Sequence, residues 1–172
     1  MRQKVAAPLL ALVLFGLVLT HVQLQPTEQG TLVSIDGREV DLWGVIKNQW
    51  NTQTRNCKHV TKLSDEASAF TQAKSLVQAY SPPNSQSAQI ASAWSAGSWM
   101  LIEVEFDTLL PAVVTLKETQ GEWSVVPNAI WSGLTHPWVA APWIRNYLSK
   151  QAPDMPASLL ACFTPQSKSF GQ

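Results

Sequence analysis

An apolar stretch near the N-terminus is the strongest feature of the hydropathy pattern. It covers residues 5–22, about 18 positions, which is close to the ~20 that span a bilayer as a helix. Arg2 and Lys4 precede it, and basic residues beside such a stretch stay on the cytoplasmic side. We therefore predict that residues 1–24 form an uncleaved signal anchor in a bacterial inner membrane, with residues 25–172 as a periplasmic domain. Signal cleavage, which would leave a secreted or periplasmic protein, stays open.

The pattern after this stretch predicts a β-hairpin over residues 31–45. Two β-prone runs flank Asp36 and Gly37, and Asp-Gly between such runs is a strong signal for a two-residue turn. Trp43 falls on the second predicted strand of this hairpin. Residues 47–59 are mostly polar and predict an irregular connection.

Apolar residues at three- and four-residue steps then predict an amphipathic helix over residues 64–80. Ser64 is the expected N-cap, and Pro82 and Pro83 stop the helix. Residues 84–96 are rich in Ser, Ala and Gln and predict a second, weaker helix.

Strict alternation between residues 99 and 107 predicts a strand with one apolar and one polar side. The polar side is acidic and is expected to face solvent: Glu103, Glu105 and Asp107. Further strands complete an antiparallel meander over residues 98–126, and Pro-bounded helices follow over residues 138–162. The predicted fold class is α+β, with helices packed on a small antiparallel sheet behind a leading β-hairpin.

The sheet segment carries a family resemblance. Residues 97–133, GSWMLIEVEFDTLLPAVVTLKETQGEWSVVPNAIWSG, resemble small exported bacterial domains with a cystatin-like or nuclear-transport-factor-2-like cone. The resemblance implies a helix packed on a curved antiparallel sheet. One use of that architecture behind a single anchor is the inner-membrane scaffold subunit of type IV secretion systems, which implies an accessory role in an envelope, secretion or conjugation assembly.

Charge and residue usage narrow the classes of partner and cofactor. The 172 residues include 12 Lys+Arg and 12 Asp+Glu, so the net charge of zero excludes a general nucleic-acid binder. Removing Arg2 and Lys4 leaves 10 basic against 12 acidic residues, so the part beyond the anchor carries −2. The eight glycines are dispersed and form no phosphate-binding loop, and we expect no cofactor and no metal site.

The two cysteines predict one structural disulfide. Cys57 and Cys162 are too far apart in sequence for Cys-x-x-Cys redox chemistry. In an oxidising compartment a single pair of cysteines favours a disulfide.

The eight tryptophans provide the strongest candidate binding surface. Trp131, Trp138 and Trp143 lie close together in sequence around His136, and tryptophan is enriched at interface hot spots and in clefts. We predict a binding or scaffold protein with a protein partner in the cell envelope, although the same rings could serve as core filler.

An exported hydrolase is the alternative function. It would use Ser132 with His136, or Glu103 with Glu105, as its catalytic groups. The glycine-flanked nucleophile turn of serine hydrolases is not present at Ser132.

Overall fold

The computed structural model describes residues 21–165 and Phe170. The predicted anchor, apart from His21 and Val22, lies outside these residues. Within the described part, no helix is both long enough and apolar enough to cross a membrane.

The chain forms two β-sheets and four α-helices across the described residues. In order they are β1 (Val22–Thr27), β2 (Gly30–Ile35), β3 (Arg38–Val40), α1 (Leu42–Thr54), β4 (Thr61–Lys62), α2 (Ser68–Tyr80), a 3-10 turn (Asn84–Ser87), β5 (Gln89–Ala96), β6 (Trp99–Glu105), β7 (Ala112–Thr119), β8 (Glu122–Ser132), α3 (Ala140–Gln151) and α4 (Ala157–Cys162). The α+β class is confirmed, as are the leading antiparallel strands.

The larger sheet is buried on both faces along its central strands, β6 and β7. Its five strands run antiparallel in the order β4-β5-β6-β7-β8. Because side chains alternate along a strand, Leu101 points to one face of the sheet and Ile102 to the other. Leu101 packs with Ile144 of α3 and Leu159 of α4, whereas Ile102 packs with Val77 of α2. The sheet is therefore the middle of three layers.

This layering corrects the prediction of a solvent-facing acidic strand side. Glu103 is 0% exposed, because it shares its face with Leu101 and α4 packs across that face. The Ser92 hydroxyl donates a 2.8 Å hydrogen bond to Glu103 Oε2. Glu105 is half-buried, and only Asp107 is exposed.

The predicted helix over residues 84–96 is wrong, since most of that segment is strand β5. Local propensity is overruled by pairing with β6, in which small residues face large ones: Ala93 lies opposite Ile102, and Ala96 lies opposite Trp99. The sheet is also wider and longer than predicted. β4 and β5 add to it, and the edge strand β8 continues past Pro127 to Ser132.

The turn at Asp36-Gly37 is confirmed, but the hairpin ends at Val40 and an additional strand, β1, pairs with β2. The expected strand around Trp43 and the expected irregular connection over residues 47–59 are wrong, because α1 covers Leu42–Thr54. Asp41 explains the difference, since its side chain caps the first turn of α1.

The other predicted helices are present. α2 begins at Ser68 rather than at Ser64, and the residue before it, Ala67, provides no side-chain cap. α3 and α4 confirm the C-terminal helices. The Cys57–Cys162 disulfide is also confirmed, with 5.8 Å between the two Cα atoms.

Candidate functional site

Asp41 fixes α1 beside the loop that precedes α3. Its carboxylate is 6% exposed and accepts two backbone hydrogen bonds. Oδ1 accepts from the Gly44 N–H at 2.7 Å, and Oδ2 accepts from the Val139 N–H at 3.1 Å. One side chain thus caps a helix and holds a second segment 98 positions away in sequence.

Trp138 of the loop held by Asp41 stacks on Trp143 of α3. The rings of Trp138 and Trp143 lie 5.1 Å apart at an angle of 16°. Gly30, at the turn between β1 and β2, approaches them so closely that a Cβ there would lie 3.3 Å from the Trp138 ring. The leading sheet therefore packs against the tryptophan pair through a residue without a side chain.

Three adjoining depressions, each lined by at least one tryptophan, lie in this region, and together we call them the tryptophan groove. The middle one has a volume of about 380 Å³ and lies between Trp43 and the Trp138–Trp143 pair. The second depression, of about 370 Å³, shares Trp143 and Asn146 with the middle one. The third depression, of about 430 Å³, shares Trp43 with the middle one and extends to Val33 and Leu42. The shared residues place the three depressions side by side.

The groove combines aromatic faces with side-chain amides. Gln29 and Asn146 line both the middle and the second depression, and an amide both donates and accepts hydrogen bonds. Lys47 and Lys150 contribute positive charge, and Glu28 contributes negative charge. Such a lining suits a ligand that has apolar side chains and amide-like polar groups, because the side-chain amides of the groove can pair with both donors and acceptors.

The structure brings two of the four predicted binding residues, Trp138 and Trp143, to the middle depression of this groove, where both are half-buried. Trp131 lines its second depression but is only 8% exposed, with its ring edge-on to Phe170 at 5.4 Å. His136 is exposed and lines a separate polar pocket of about 670 Å³. That pocket also holds His21, whose Nδ1 lies 2.5 Å from Asp36 Oδ1.

Sequence reasoning missed Trp43, the most exposed aromatic residue of the groove. The ring is 62% exposed and was expected on a strand. A helix start signal could have found it. Asp41 is a good N-cap residue, and the apolar residues Trp43, Ile46 and Trp50 follow it at steps of three and four, as in a helix.

The residues of the hydrolase alternative lie apart. Ser132 lines an apolar cavity on the α2 side of the sheet, whereas His136 lines the polar pocket. Glu103 is enclosed beneath α4, and half-buried Glu105 follows it on the same face. Across residues 21–165 and Phe170, no group of three or more His, Cys, Asp or Glu side chains could hold a metal ion.

Behind the groove, Arg145 joins α3 to α1 and to Phe163, which directly follows α4. Its Nε donates to the Phe163 carbonyl at 2.9 Å, and its Nη1 donates to Asn48 Oδ1 at 3.3 Å. Burial, with a smaller effect of nearby Arg55, lowers the pKa of Arg145 from 12.5 to about 10. The side chain therefore stays charged at neutral pH.

Comparison with protein-family models, curated proteins and solved structures finds no match to this chain.

Proposed function

We propose that this chain is a binding protein of the cell envelope whose tryptophan groove holds an extended segment of a protein partner. Residues 5–22 would keep it at the bacterial inner membrane, where it would act as an accessory of an envelope or secretion assembly. The observation that carries the proposal is the row of adjoining depressions lined by four tryptophans, of which Trp43 is 62% exposed.

The lining of the groove favours a polypeptide as its ligand. Large exposed aromatic rings are uncommon on a solvated surface and are enriched where a partner buries them. Gln29 and Asn146 supply donors and acceptors for a peptide backbone, while the rings offer faces for apolar side chains. Charges of both signs, from Glu28 and Lys150, lie at the second depression and would set the direction of a bound chain.

Site-specific photo-crosslinking in intact cells would identify the partner. A photoreactive residue at Asn146, which lines two of the three depressions, is expected to capture an envelope protein. The matched control places the same residue at Ser149, which is exposed on the same helix and lines none of the three depressions. Equal capture from both positions, or capture of glycan alone from Asn146, would count against the proposal.

Affinity for the captured partner can then be measured with two tryptophan variants. Trp43→Ala is expected to weaken binding at least ~30-fold, the loss of about 2 kcal/mol typical of a hot-spot residue. Trp50→Ala is the control, because Trp50 lies on the same helix, is 69% exposed and lines none of the three depressions. Unchanged affinity of Trp43→Ala would contradict the proposal.

The proposed location has its own test. Intact-mass measurement on membrane and soluble fractions is expected to find the full chain in the membrane. A soluble species beginning near Gln23 would show instead that the apolar segment is cleaved.

A further inference from the structure

A second cavity lies on the opposite face of the large sheet from α3. It opens between the C-terminal end of α2 and strands β7 and β8, and its volume is about 430 Å³. Its interior is formed by apolar side chains from all three elements and from the residue that follows β6: Val77, Phe106, Ala112, Val114 and Ile130. The volume falls within the range of about 300–1,000 Å³ that small-molecule sites occupy.

The interior offers almost no hydrogen-bonding partners to an occupant. None of the described residues that line the cavity is charged. The buried hydroxyl, that of Ser85, donates to the Gln78 carbonyl at 2.8 Å and accepts from the Ser81 N–H at 3.1 Å. A peptide in this interior would leave its own N–H and C=O groups unpaired away from water, which is costly. An alkyl chain has no such groups.

The mouth of the cavity has a different chemistry. Leu109 and Leu110 extend into solvent from the loop between β6 and β7, and the Leu110 side chain is 54% exposed. Exposed hydroxyl groups stand beside them: Tyr80, Ser81, Thr108 and Ser132. Among residues 21–165 and Phe170 no cation lines the mouth, and Asp107 precedes the leucine loop, so an anionic head group would find no counter-charge from these residues.

From this arrangement we propose that the cavity binds the single alkyl chain of an amphiphile whose head is uncharged and bears hydroxyl groups, as in a monoacylglycerol. The alkyl chain fills the apolar interior, and the head pairs with the hydroxyls of the rim. This site is separate from the tryptophan groove and does not depend on the function proposed for it.

Photo-labelling of the full chain in lipid nanodiscs tests this site. A monoacylglycerol with a diazirine in its alkyl chain is expected to label peptides that contain Val77, Phe106 or Ile130, and unlabelled monoacylglycerol is expected to suppress the labelling. A diazirine fatty acid with a free carboxylate is expected to label these peptides several-fold less. Equal labelling by the two probes would overturn the assignment of an uncharged head. Labelling without saturation, or outside this cavity, would overturn the site.

Two variants sharpen the test. Leu110→Asp places a charge at the exposed mouth and is expected to reduce saturable labelling about tenfold, because the apolar entrance is lost. Its matched control is Leu134→Asp, since Leu134 is 49% exposed and does not line the cavity. Val77→Phe fills the interior and is expected to abolish labelling while circular dichroism stays native. If Val77→Phe does not fold, Leu110→Asp decides, and labelling equal to that of the control overturns the proposal.

Discussion

Two buried threonines differ in what their hydroxyls contact. Thr115, on the central part of the large sheet, is fully buried, and its Oγ1 has no hydrogen-bond partner. Thr135, in the loop before α3, is also buried, but its hydroxyl donates to the Phe170 carbonyl at 2.7 Å. An unpaired buried hydroxyl carries a desolvation cost, whereas a paired one contributes to stability.

The same substitution at these positions is therefore expected to have opposite effects. Thr115→Val removes a polar atom without changing the shape, and we expect the free energy of unfolding to rise by about 1 kcal/mol. Thr135→Val removes this hydrogen bond, although the Phe170 carbonyl still accepts from the Thr135 N–H at 2.7 Å, and we expect a fall of about 0.5–1.5 kcal/mol. Urea denaturation of both variants measures the difference. A fall of similar size in each would contradict this account of Thr115.

Gly44 offers a prediction that opposes ordinary helix propensity. Replacing glycine by alanine in an exposed helix normally stabilises it by about 1 kcal/mol. Here a Cβ at Gly44 would overlap the Asp41 carboxylate, which would have to move and release its hydrogen bonds.

We expect Gly44→Ala to lower the free energy of unfolding by at least ~1 kcal/mol, the usual cost of a lost helix cap. Partner binding in the groove should weaken as well, because the same carboxylate fixes the loop that carries Trp138. Val45→Ala, at the next and exposed position, is the control and should change neither quantity appreciably. Thermal unfolding and crosslinking yield report the two effects.

At the scale of elements, α1 is held by contacts to α4 and to the residues that directly follow α4. Asn51 Nδ2 donates to the Ala161 carbonyl at 2.8 Å, and Arg55 Nη1 donates to Thr164 Oγ1 at 2.8 Å. The Cys57–Cys162 disulfide lies beside these hydrogen bonds. Only Gly44 of α1 is buried, so these polar and covalent links replace the apolar packing that holds most helices.

Removal of the disulfide should therefore loosen α1. The double variant Cys57→Ser, Cys162→Ser is expected to lose about 2–5 kcal/mol in the free energy of unfolding, since the bond closes a long loop. Hydrogen exchange should show faster opening of α1 than of β6 or β7. A reducing agent should lower the stability of the wild-type protein and leave the double variant unchanged. Equal stability of the oxidised wild type and the variant would refute this role.

Arg145 joins α3 to α1 and to Phe163, the residue that follows α4. Its lowered pKa of about 10 shows that the folded state holds the charge less readily than the unfolded state, so below that pH the burial of the charge opposes folding. Its hydrogen bonds offset this cost. We expect Arg145→Ala to lower the free energy of unfolding by about 2 kcal/mol, because the Phe163 carbonyl loses its guanidinium donors. Arg145→Lys should recover only part of the lost stability, since lysine lacks the planar guanidinium group with its several donors. Urea titration at neutral pH measures both.

Elements with strong local signals were predictable from the sequence. The Asp-Gly turn, the periodicity of α2 and the alternation along β6 are all local, and each is present. β5 could not be recognised in this way, because its Ala and Gln residues locally favour a helix and only the pairing with β6 makes the segment a strand. The burial of Glu103 was equally inaccessible, since alternation shows that a strand has two sides but does not show that a helix covers the second.

At the scale of the whole molecule, the two proposed sites lie on opposite sides of the middle sheet. The tryptophan groove uses α1, α3 and the leading strands, and the apolar cavity uses α2, β7 and β8. Variants at sites that share no partners usually act independently.

We therefore expect Trp43→Ala to leave monoacylglycerol labelling within about twofold of wild type, and Leu110→Asp to leave partner affinity similarly unchanged. The double variant should show the sum of the two effects. The two assays on all three variants test this, and a change of tenfold or more in the unaltered site would mean that the sheet couples the two sites.

The disulfide also determines how mechanical load would pass through the chain. If the N-terminal segment is held and the C-terminus is pulled, tension runs along the chain to Cys57, crosses the sulfur–sulfur bond and leaves from Cys162. Residues 58–161, which contain the whole large sheet and α2 and α3, form a closed loop that bears none of this tension. The leading strands and α1 lie on the loaded path. A partner that pulls on this protein would thus strain the tryptophan groove before it could disturb the apolar cavity.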